Sequence, residues 1–481
     1  MQPTRLASLL PQIRTDIILI KTNDYNKFPL VAWFGPANAL GCAAIPYPPS
    51  YGERMMKARL ALVLAASLGV AACQADDPTP TSPGPMSASA AAGQQDLLTI
   101  VPPPALNSVQ QGRLAAIRGR ASSAEVHLAR IAGAPGQMLR AGGVVRLGVA
   151  PGVQVVATGE RVSQRAADDI SWAGPIQGTY GWVQAVLMNG ELTATVTVGT
   201  EQYAIESIGN GLHAVTRIDQ NGFPPEHTAD NPSGALTSSM NSAVGAIRAA
   251  RAGEIGISAL TTINVMVVYT ASAASAAGNI SSKIQLAVDE TNQSYVNSGV
   301  SINFNKVYVG QVSYSESGRS FSQHVSALRS TTDGIMDNVH TLRNTYAADL
   351  VMLVVNDTEA CGQAATINAT ASYAFAAADQ SCITGYYSFG HELGHLQGAR
   401  HDRYVDGSTS PYAYGHGFIP STKTWRTIMA YGNNCGNCKR IQWWSNPLKT
   451  YPATGQVMGT TAYEDNARVL NLTKGTVAGF R

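Results

Sequence analysis

Charge is scarce and evenly split in this sequence. Of 481 residues only 13% are charged, 31 acidic against 33 basic, and the net charge is +2. That leaves no basic stripe of the kind a nucleic-acid binder needs, so no nucleic-acid partner is expected. Cysteine is sparse too: there are six, and none lies between Gln74 and Ala360. No thiolate from that stretch can serve as a metal ligand. Long apolar runs are also missing. Leu60 to Ala72 has the length of a signal-peptide core and is too short to span a bilayer as a mature helix. Gly, Ala, Ser and Thr are abundant, a balance that suits an exported bacterial protein, and the length allows two or three domains.

Histidine is rare as well, which makes its placement informative. Three of the nine histidines fall within Phe389 to Asp402, FGHELGHLQGARHD, in the pattern HExxHxxGxxH. On a helix His391 and His395 stand four residues apart and project from one face, so both imidazoles can grip one ion. Glu392, beside the first of them, is placed to hold a water next to that ion and to act as general base. Gly398 can adopt positive φ, end the helix and turn the chain back, which delivers His401 as a third ligand. Three protein ligands leave the fourth position of a tetrahedral Zn2+ open, the arrangement of a catalytic zinc site and not a structural one. One Zn2+ is therefore the expected cofactor.

Downstream lies TIMAYG, Thr427 to Gly432. The long zinc motif followed by a methionine-containing turn resembles the metzincin zinc endopeptidases. The resemblance implies an α+β catalytic domain with a twisted mixed sheet, an active-site helix and a small C-terminal subdomain. It implies that Met429 forms a hydrophobic floor beneath the three histidines. It places Tyr431 where astacins and serralysins carry a tyrosine near the metal, as a ligand in the resting enzyme or as a stabiliser of the oxyanion. Asp402 matches a residue that reprolysins and adamalysins carry after the third histidine, with a buried structural hydrogen bond as its implied role.

A narrower resemblance covers residues 260 to 481. YGHGF (Tyr414 to Phe418), TIMAY (Thr427 to Tyr431), RIQWWSNP (Arg440 to Pro447) and DNARVLNLTKGTVAGFR (Asp465 to Arg481) are similar to the bacterial peptidyl-Asp metalloendopeptidases. That family implies polypeptide substrates cut on the amino side of Asp, sometimes Glu, and a pocket that takes an acidic side chain needs a cation. Arg400, Arg426, Lys439 and Arg440 are the candidates, and the sequence does not choose among them. His416, between two glycines, is a further candidate, though a loop histidine packed for structure is the ordinary reading.

The chain ahead of this domain reads in pieces. Residues 1–54 lack clear periodicity and read as an over-extended start. Residues 55–73 open with Lys57 and Arg59, continue as an apolar core and end Val70-Ala71-Ala72-Cys73, which resembles a bacterial lipobox. Cys73 would then be lipidated and would anchor the exported precursor in the cell envelope, from which the mature domain could be released. An ordinary signal peptide cleaved nearby is the alternative. Residues 74–95, rich in Pro, Ser, Ala and Thr, read as a flexible tether. Between 96 and 257, Val144 to Leu147, Val153 to Ala157, Gly181 to Met188, Leu192 to Val198 and Gln202 to Ile208 are rich in strand formers, with turns such as Asn189-Gly190 between them. The unit is expected to be mostly β. Ser171 to Asp219, with FPPE (Phe223 to Glu226), resembles the prodomain of secreted bacterial zinc proteases; a β-sandwich binding domain is the alternative. A prodomain without cysteine cannot cap zinc with a thiolate. Latency would need a carboxylate, with Glu226 and Asp230 as candidates, or steric cover. Arg248 and Arg251 offer processing sites ahead of a catalytic domain spanning 258–481.

Within that domain Ile263 to Tyr269 and Leu350 to Val355 are near-continuous apolar strands, as expected of a sheet covered on both faces. Val300 to Val309 alternates as a strand, and Ser281 to Asn297 has helical spacing. Val325 to Leu328 with Met336 to Tyr346 suggests a second helix. Gly362 to Ile367 is the expected edge strand, able to hold a substrate by β-augmentation. The zinc helix is expected over Tyr387 to Gln397 and a closing helix over Ala462 to Ala478. Cys361, Cys382, Cys435 and Cys438 form an even set that reads as two disulfides in an exported domain. Three pairings exist, and Cys361–Cys382 with Cys435–Cys438 is favoured because the first would brace the loop into the zinc helix. Read as half of a structural zinc site, Cys435-x-x-Cys438 lacks a second pair nearby.

Two other functions fit parts of the pattern. A surface lipoprotein could use the zinc fold as a binding scaffold, although a scaffold has no need of Glu392. A protease of the same fold could prefer apolar residues. The membrane is an expected partner only through the lipid anchor, and oligomeric state is not read from the sequence.

Overall fold

Strand-forming residues punctuated by tight turns dictate the N-terminal part of a computed structural model that describes residues 95–227 and 259–481. The expected start, signal segment, Cys73, the tether up to residue 94, Asp230, Arg248 and Arg251 lie outside the described residues; Gln95, expected to close the tether, opens the first strand. Residues 95–227 form one ten-stranded sheet. Its strands are β1 (Gln95–Val101), β2 (Ser123–Ile131), β3 (Val144–Ala150), β4 (Val153–Thr158), β5 (Arg161–Ala166), β6 (Asp169–Pro175), β7 (Gly181–Met188), β8 (Glu191–Val198), β9 (Glu201–Gly209) and β10 (Leu212–Ile218). They lie in the order β4-β3-β1-β2-β10-β9-β8-β7-β6-β5. Asn189 and Gly190 both take positive φ, 53° and 75°, as a two-residue turn between β7 and β8 requires. The sheet curls until Ala157 in β4 bridges to Ile176 just beyond β6. Leu97, Val145, Leu147, Val183, Val196 and Ile205 fill the space it encloses. The expected β content is present. The sandwich is not, because one sheet curling over its own face buries these residues without a second layer.

Residues 259–481 carry a mixed sheet in the order β12-β11-β13-β15-β14, with β11 (Thr261–Tyr269), β12 (Ile302–Gln311), β13 (Leu350–Val355), β14 (Gly362–Ala364) and β15 (Phe375–Asp379). All neighbours are parallel except β14, which pairs antiparallel with β15 at the edge. Val265 and Val267 of β11 face a core shared with the helices Ile280–Ser298, Ser388–Leu396 and Asn466–Val477. Met266 and Val268 face the other side, covered by Phe321–Arg329. Both faces are buried, which explains the unbroken apolar run.

Two expectations need correction. The single helix suggested across Val325 to Tyr346 is two, Phe321–Arg329 and Asn338–Thr345. Between them Ser330 to Gly334 offers only poor helix formers, and Gly334 turns at φ 75°. Strand β15 has no counterpart among the predicted strands. Its alanines carry little strand preference, and burial between β13 and β14 makes it a strand all the same. Among the described residues no helix is long and apolar enough to cross a membrane.

The two parts pack together as one unit. Gln442 Nε2 donates to Gln184 Oε1 at 2.7 Å, the Arg440 N–H to Gln220 Oε1 at 2.6 Å, and Lys283 Nζ to Glu206 Oε1 at 3.2 Å. Burial alone would raise the Glu206 carboxyl, but Arg120 and Lys283 hold it down at about 2, so the docked surface contains a buried carboxylate with its cations.

Candidate active site

The helix Ser388–Leu396 begins after Tyr387, which takes a left-handed conformation at φ 66°. His391 and His395 lie one turn apart on its buried face. The helix ends where Gly398 takes φ 102°, and a Cβ there would meet Val469 and Tyr412 at 3.2 and 3.3 Å. Beyond it the Arg400 N–H donates to Gly415 O at 2.7 Å and the Gly417 N–H to Arg400 O at 3.0 Å. These bonds pin the returning chain and bring His401 back to the helix. The three Nε2 atoms meet at separations of 2.8, 3.1 and 3.2 Å.

The protonation of this cluster follows from its partners. His391 Nδ1 lies 3.0 Å from Ile428 O, and His395 Nδ1 lies 2.9 Å from Ala399 O. A carbonyl only accepts, so both Nδ1 atoms carry the proton and both Nε2 atoms present lone pairs. Burial pushes His391 and His401 far below the ordinary imidazole range, and the neighbouring His395 adds to the shift. Lone pairs of neutral rings this close repel unless a cation sits among them. A tetrahedral ion with Zn–N bonds of about 2.0–2.1 Å holds its nitrogens roughly 3.3 Å apart, close to the observed spacing. The donor set, with its second ring nitrogens anchored to carbonyls, fits one zinc ion.

Glu392 is fully buried beside the cluster. Burial raises its carboxyl, and the His227 imidazole opposes the rise. A Cβ on Gly362 would stand 2.7 Å from Glu392 Cγ and Oε1, so this carboxylate can lie against the edge strand only because residue 362 is glycine. Met429 is buried in the core below the helix, and the turn that carries it supplies the Ile428 carbonyl to His391. Asp402 accepts from the Tyr431 N–H at 2.8 Å and the Tyr404 N–H at 3.1 Å, tying the chain after His401 to the methionine turn. The Tyr431 ring lies 4.4 Å from that of His401. His416 Nδ1 donates to His401 O at 2.8 Å, so it braces the backbone of the third histidine, and it is not among the clustered ligand residues. Cys361 pairs with Cys382 and Cys435 with Cys438, the favoured arrangement. The first bridge ties the start of β14 to the loop entering the helix.

Of the four candidate cations, Arg400 is committed to Asp406 at 2.9 and 3.0 Å, and Lys439 shares a second cavity with Arg440 but does not line the one that reaches Tyr431 and His227. Arg426 and Arg440 are buried and line a cavity of about 280 Å³ that reaches Tyr431 and His227. Arg440 Nη1 bonds Glu226 Oε1 and donates to Tyr386 O at 3.1 Å, and its guanidinium carbon lies 4.3 Å from the Tyr386 ring centroid.

Sequence reasoning missed His227. The carboxylates Glu226 and Asp230 were the expected metal-directed groups, but the residue that joins the three histidines is an imidazole. A ligand nitrogen of His227 lies within 4.8 Å of those of His391, His395 and His401. Its Nε2 stands 3.3 Å from both Glu392 oxygens and its Nδ1 2.9 Å from Tyr431 Oη. Glu226 bonds Arg440 and also keeps a carboxylate oxygen within 4.8 Å of ligand atoms of His391 and Glu392. A signal existed: His227 directly follows FPPE, where the latency candidates were sought, and histidine ligates zinc as readily as a carboxylate does.

Residues 259–445 match metallo-peptidase family M12. The chain is 42% identical over 295 residues to the peptidyl-Asp metalloendopeptidase of Stenotrophomonas maltophilia, a match covering 60% of this chain and 68% of the relative. It is 36% identical over 351 residues to the enzyme of that name from Xanthomonas campestris pv. campestris, covering 69% of this chain and 80% of the relative. The namesake from Pseudomonas fragi is 43% identical over 194 residues, which span 40% of this chain and 100% of the relative.

Proposed function

Because this chain belongs to metallo-peptidase family M12 and is a zinc metalloendopeptidase, we propose that it cuts polypeptides on the amino side of aspartate, with His391, His395 and His401 as zinc ligands and Glu392 as general base. The observation that carries this reading is the convergence of three imidazole nitrogens beside one buried carboxylate.

When bound, the zinc ion supplies Lewis acidity, lowering the pKa of a water toward neutrality and polarising a carbonyl. Glu392 takes the proton of the attacking water and returns it to the leaving amine. A carboxyl already raised by burial suits both halves of that task. The Tyr431 hydroxyl is placed to donate to the carbonyl oxygen as it gains charge. Met429 and Asp402 act through packing and through the Tyr431 backbone. The N–H groups of Cys361 and Gly362 hold the substrate backbone; they already donate to Pro225 O at 2.7 Å and Glu226 O at 3.2 Å. For the acidic side chain Arg440 is the receptor, with Arg426 beside it. It is a buried cation in the cleft, and the relatives that match are named for Asp.

Export is part of the same reading. Two disulfides suit an oxidising compartment, and residues 96–257 act as a prodomain behind a lipoprotein signal ending at Cys73. Cleavage-site mapping tests the function. A peptide library digested by processed enzyme should show cuts before Asp that a zinc chelator abolishes. Cuts before bulky apolar residues would discard the acidic preference and keep the peptidase. No cuts by zinc-loaded, processed protein would overturn the reading.

A further inference from the structure

Phe223 to His227 runs through the cleft as an extended ligand would. Phe223 stacks on Tyr386 with ring centroids 4.4 Å apart. The carbonyls of Pro225 and Glu226 accept from the Cys361 and Gly362 N–H groups at the sheet edge. The Glu226 carboxylate, 5% exposed, sits on Arg440. His227 stands over the three histidines with ring centroids 5.6, 5.4 and 4.9 Å from His391, His395 and His401. Its Nε2 stands 3.3 Å from both Glu392 oxygens and its Nδ1 2.9 Å from Tyr431 Oη; a carboxylate only accepts, so with no ion between the rings Nε2–H donates to Glu392 and the Tyr431 hydroxyl donates to Nδ1. A cation held by the three histidines, whose ligand atoms lie within 4.8 Å of one on His227, would favour the other tautomer, with Nδ1–H donated to Tyr431 Oη and the Nε2 lone pair turned to the ion.

We propose that His227 is the fourth ligand of the active-site metal and that Glu226 fills the acidic-side-chain pocket, so the segment Pro225–His227 is a substrate mimic that holds the enzyme latent. This rests on the zinc-peptidase reading above. An imidazole at the fourth position takes the place of the attacking water and stands against Glu392, so water activation is blocked at its first step. The carboxylate on Arg440 occupies the group that would recognise substrate. Neither contact needs a cysteine, which agrees with the lack of one between Gln74 and Ala360. The curled sheet of residues 95–227 holds the segment in place. Gln220, a few residues ahead of the mimic, bonds both the N–H and the carbonyl of Arg440, at 2.6 and 3.1 Å.

The test uses the full chain in a Glu392→Gln background, so that it cannot cut itself, loaded with cobalt(II) or zinc. His227→Ala should shift the visible absorption bands of bound cobalt. It should also weaken zinc binding by on the order of tenfold or more in competition with a chromophoric chelator. His227→Gln, which keeps size and polarity, should do the same. Glu226→Gln should leave the cobalt bands in place and speed zinc extraction, because the plug loses its anchor. If the parent binds one metal per chain and both His227 variants match it in bands and affinity, His227 is not a ligand, while the peptidase reading stands. Extraction unchanged by Glu226→Gln would remove Glu226 from the mimic. A parent chain that binds no metal would bring down this inference and the peptidase reading together.

Discussion

Replacing Glu392 with glutamine should leave zinc bound and lower kcat by about 10³- to 10⁴-fold with little change in KM. The amide keeps the shape of the side chain in a space bounded by Gly362, where a Cβ would already stand 2.7 Å from the carboxylate. It cannot accept a proton at neutral pH, so what is lost is proton transfer in the transition state. Substrate contacts to the sheet edge and to Arg440 stay in place, which is why KM should hold. The comparison needs wild-type and variant chains carried through the same limited proteolysis, with zinc content measured on each. A variant that retains zinc and works within tenfold of wild type would assign the base elsewhere.

The second large effect is expected on selectivity. Arg440→Gln should reduce cleavage before Asp by on the order of 10²- to 10³-fold relative to cleavage before Asn, since a carboxylate would enter the pocket without a cation to meet it. Arg440 is 1% exposed, and its Nε and Nη2 have no hydrogen-bond partner among the described residues. Part of its donor fork is therefore still open to a carboxylate. Arg440→Lys should recover only part of the preference, because a point charge cannot reproduce the fork. In unprocessed chain Arg440→Gln would also leave Glu226 buried without its cation, so the ratio should be read on processed protein. An Asp preference unchanged by Arg440→Gln would move the recognition to Arg426 or to a backbone site.

Much of this site was legible in the sequence because its rules are local. The spacing of His391 and His395 is a helix period, Gly398 is a turn, and the return of His401 follows from that turn. The apolar run at Ile263 to Tyr269 foretold a strand buried on both faces. Features set by long-range packing were less visible. β15 is an alanine-rich segment made into a strand by its neighbours. The curled sheet and a two-layer sandwich share one alternating pattern, so the pattern could not separate them. The choice of Arg440 over Arg400 depends on Asp406, six residues from Arg400, and on Glu226, more than two hundred residues from Arg440. His227 was missed for the same reason: its partners arrive from the other part of the chain, and the FPPE signal beside it directed attention to carboxylates.

The most direct test of the zinc centre is to strip the processed chain of metal and titrate zinc back, reading bound zinc and hydrolysis of an Asp-containing peptide together. The expected result is no hydrolysis without metal and full recovery at one zinc per chain, with His391→Ala failing on both readings. Hydrolysis that persists in metal-free protein, or that returns without zinc bound at these three histidines, would contradict it.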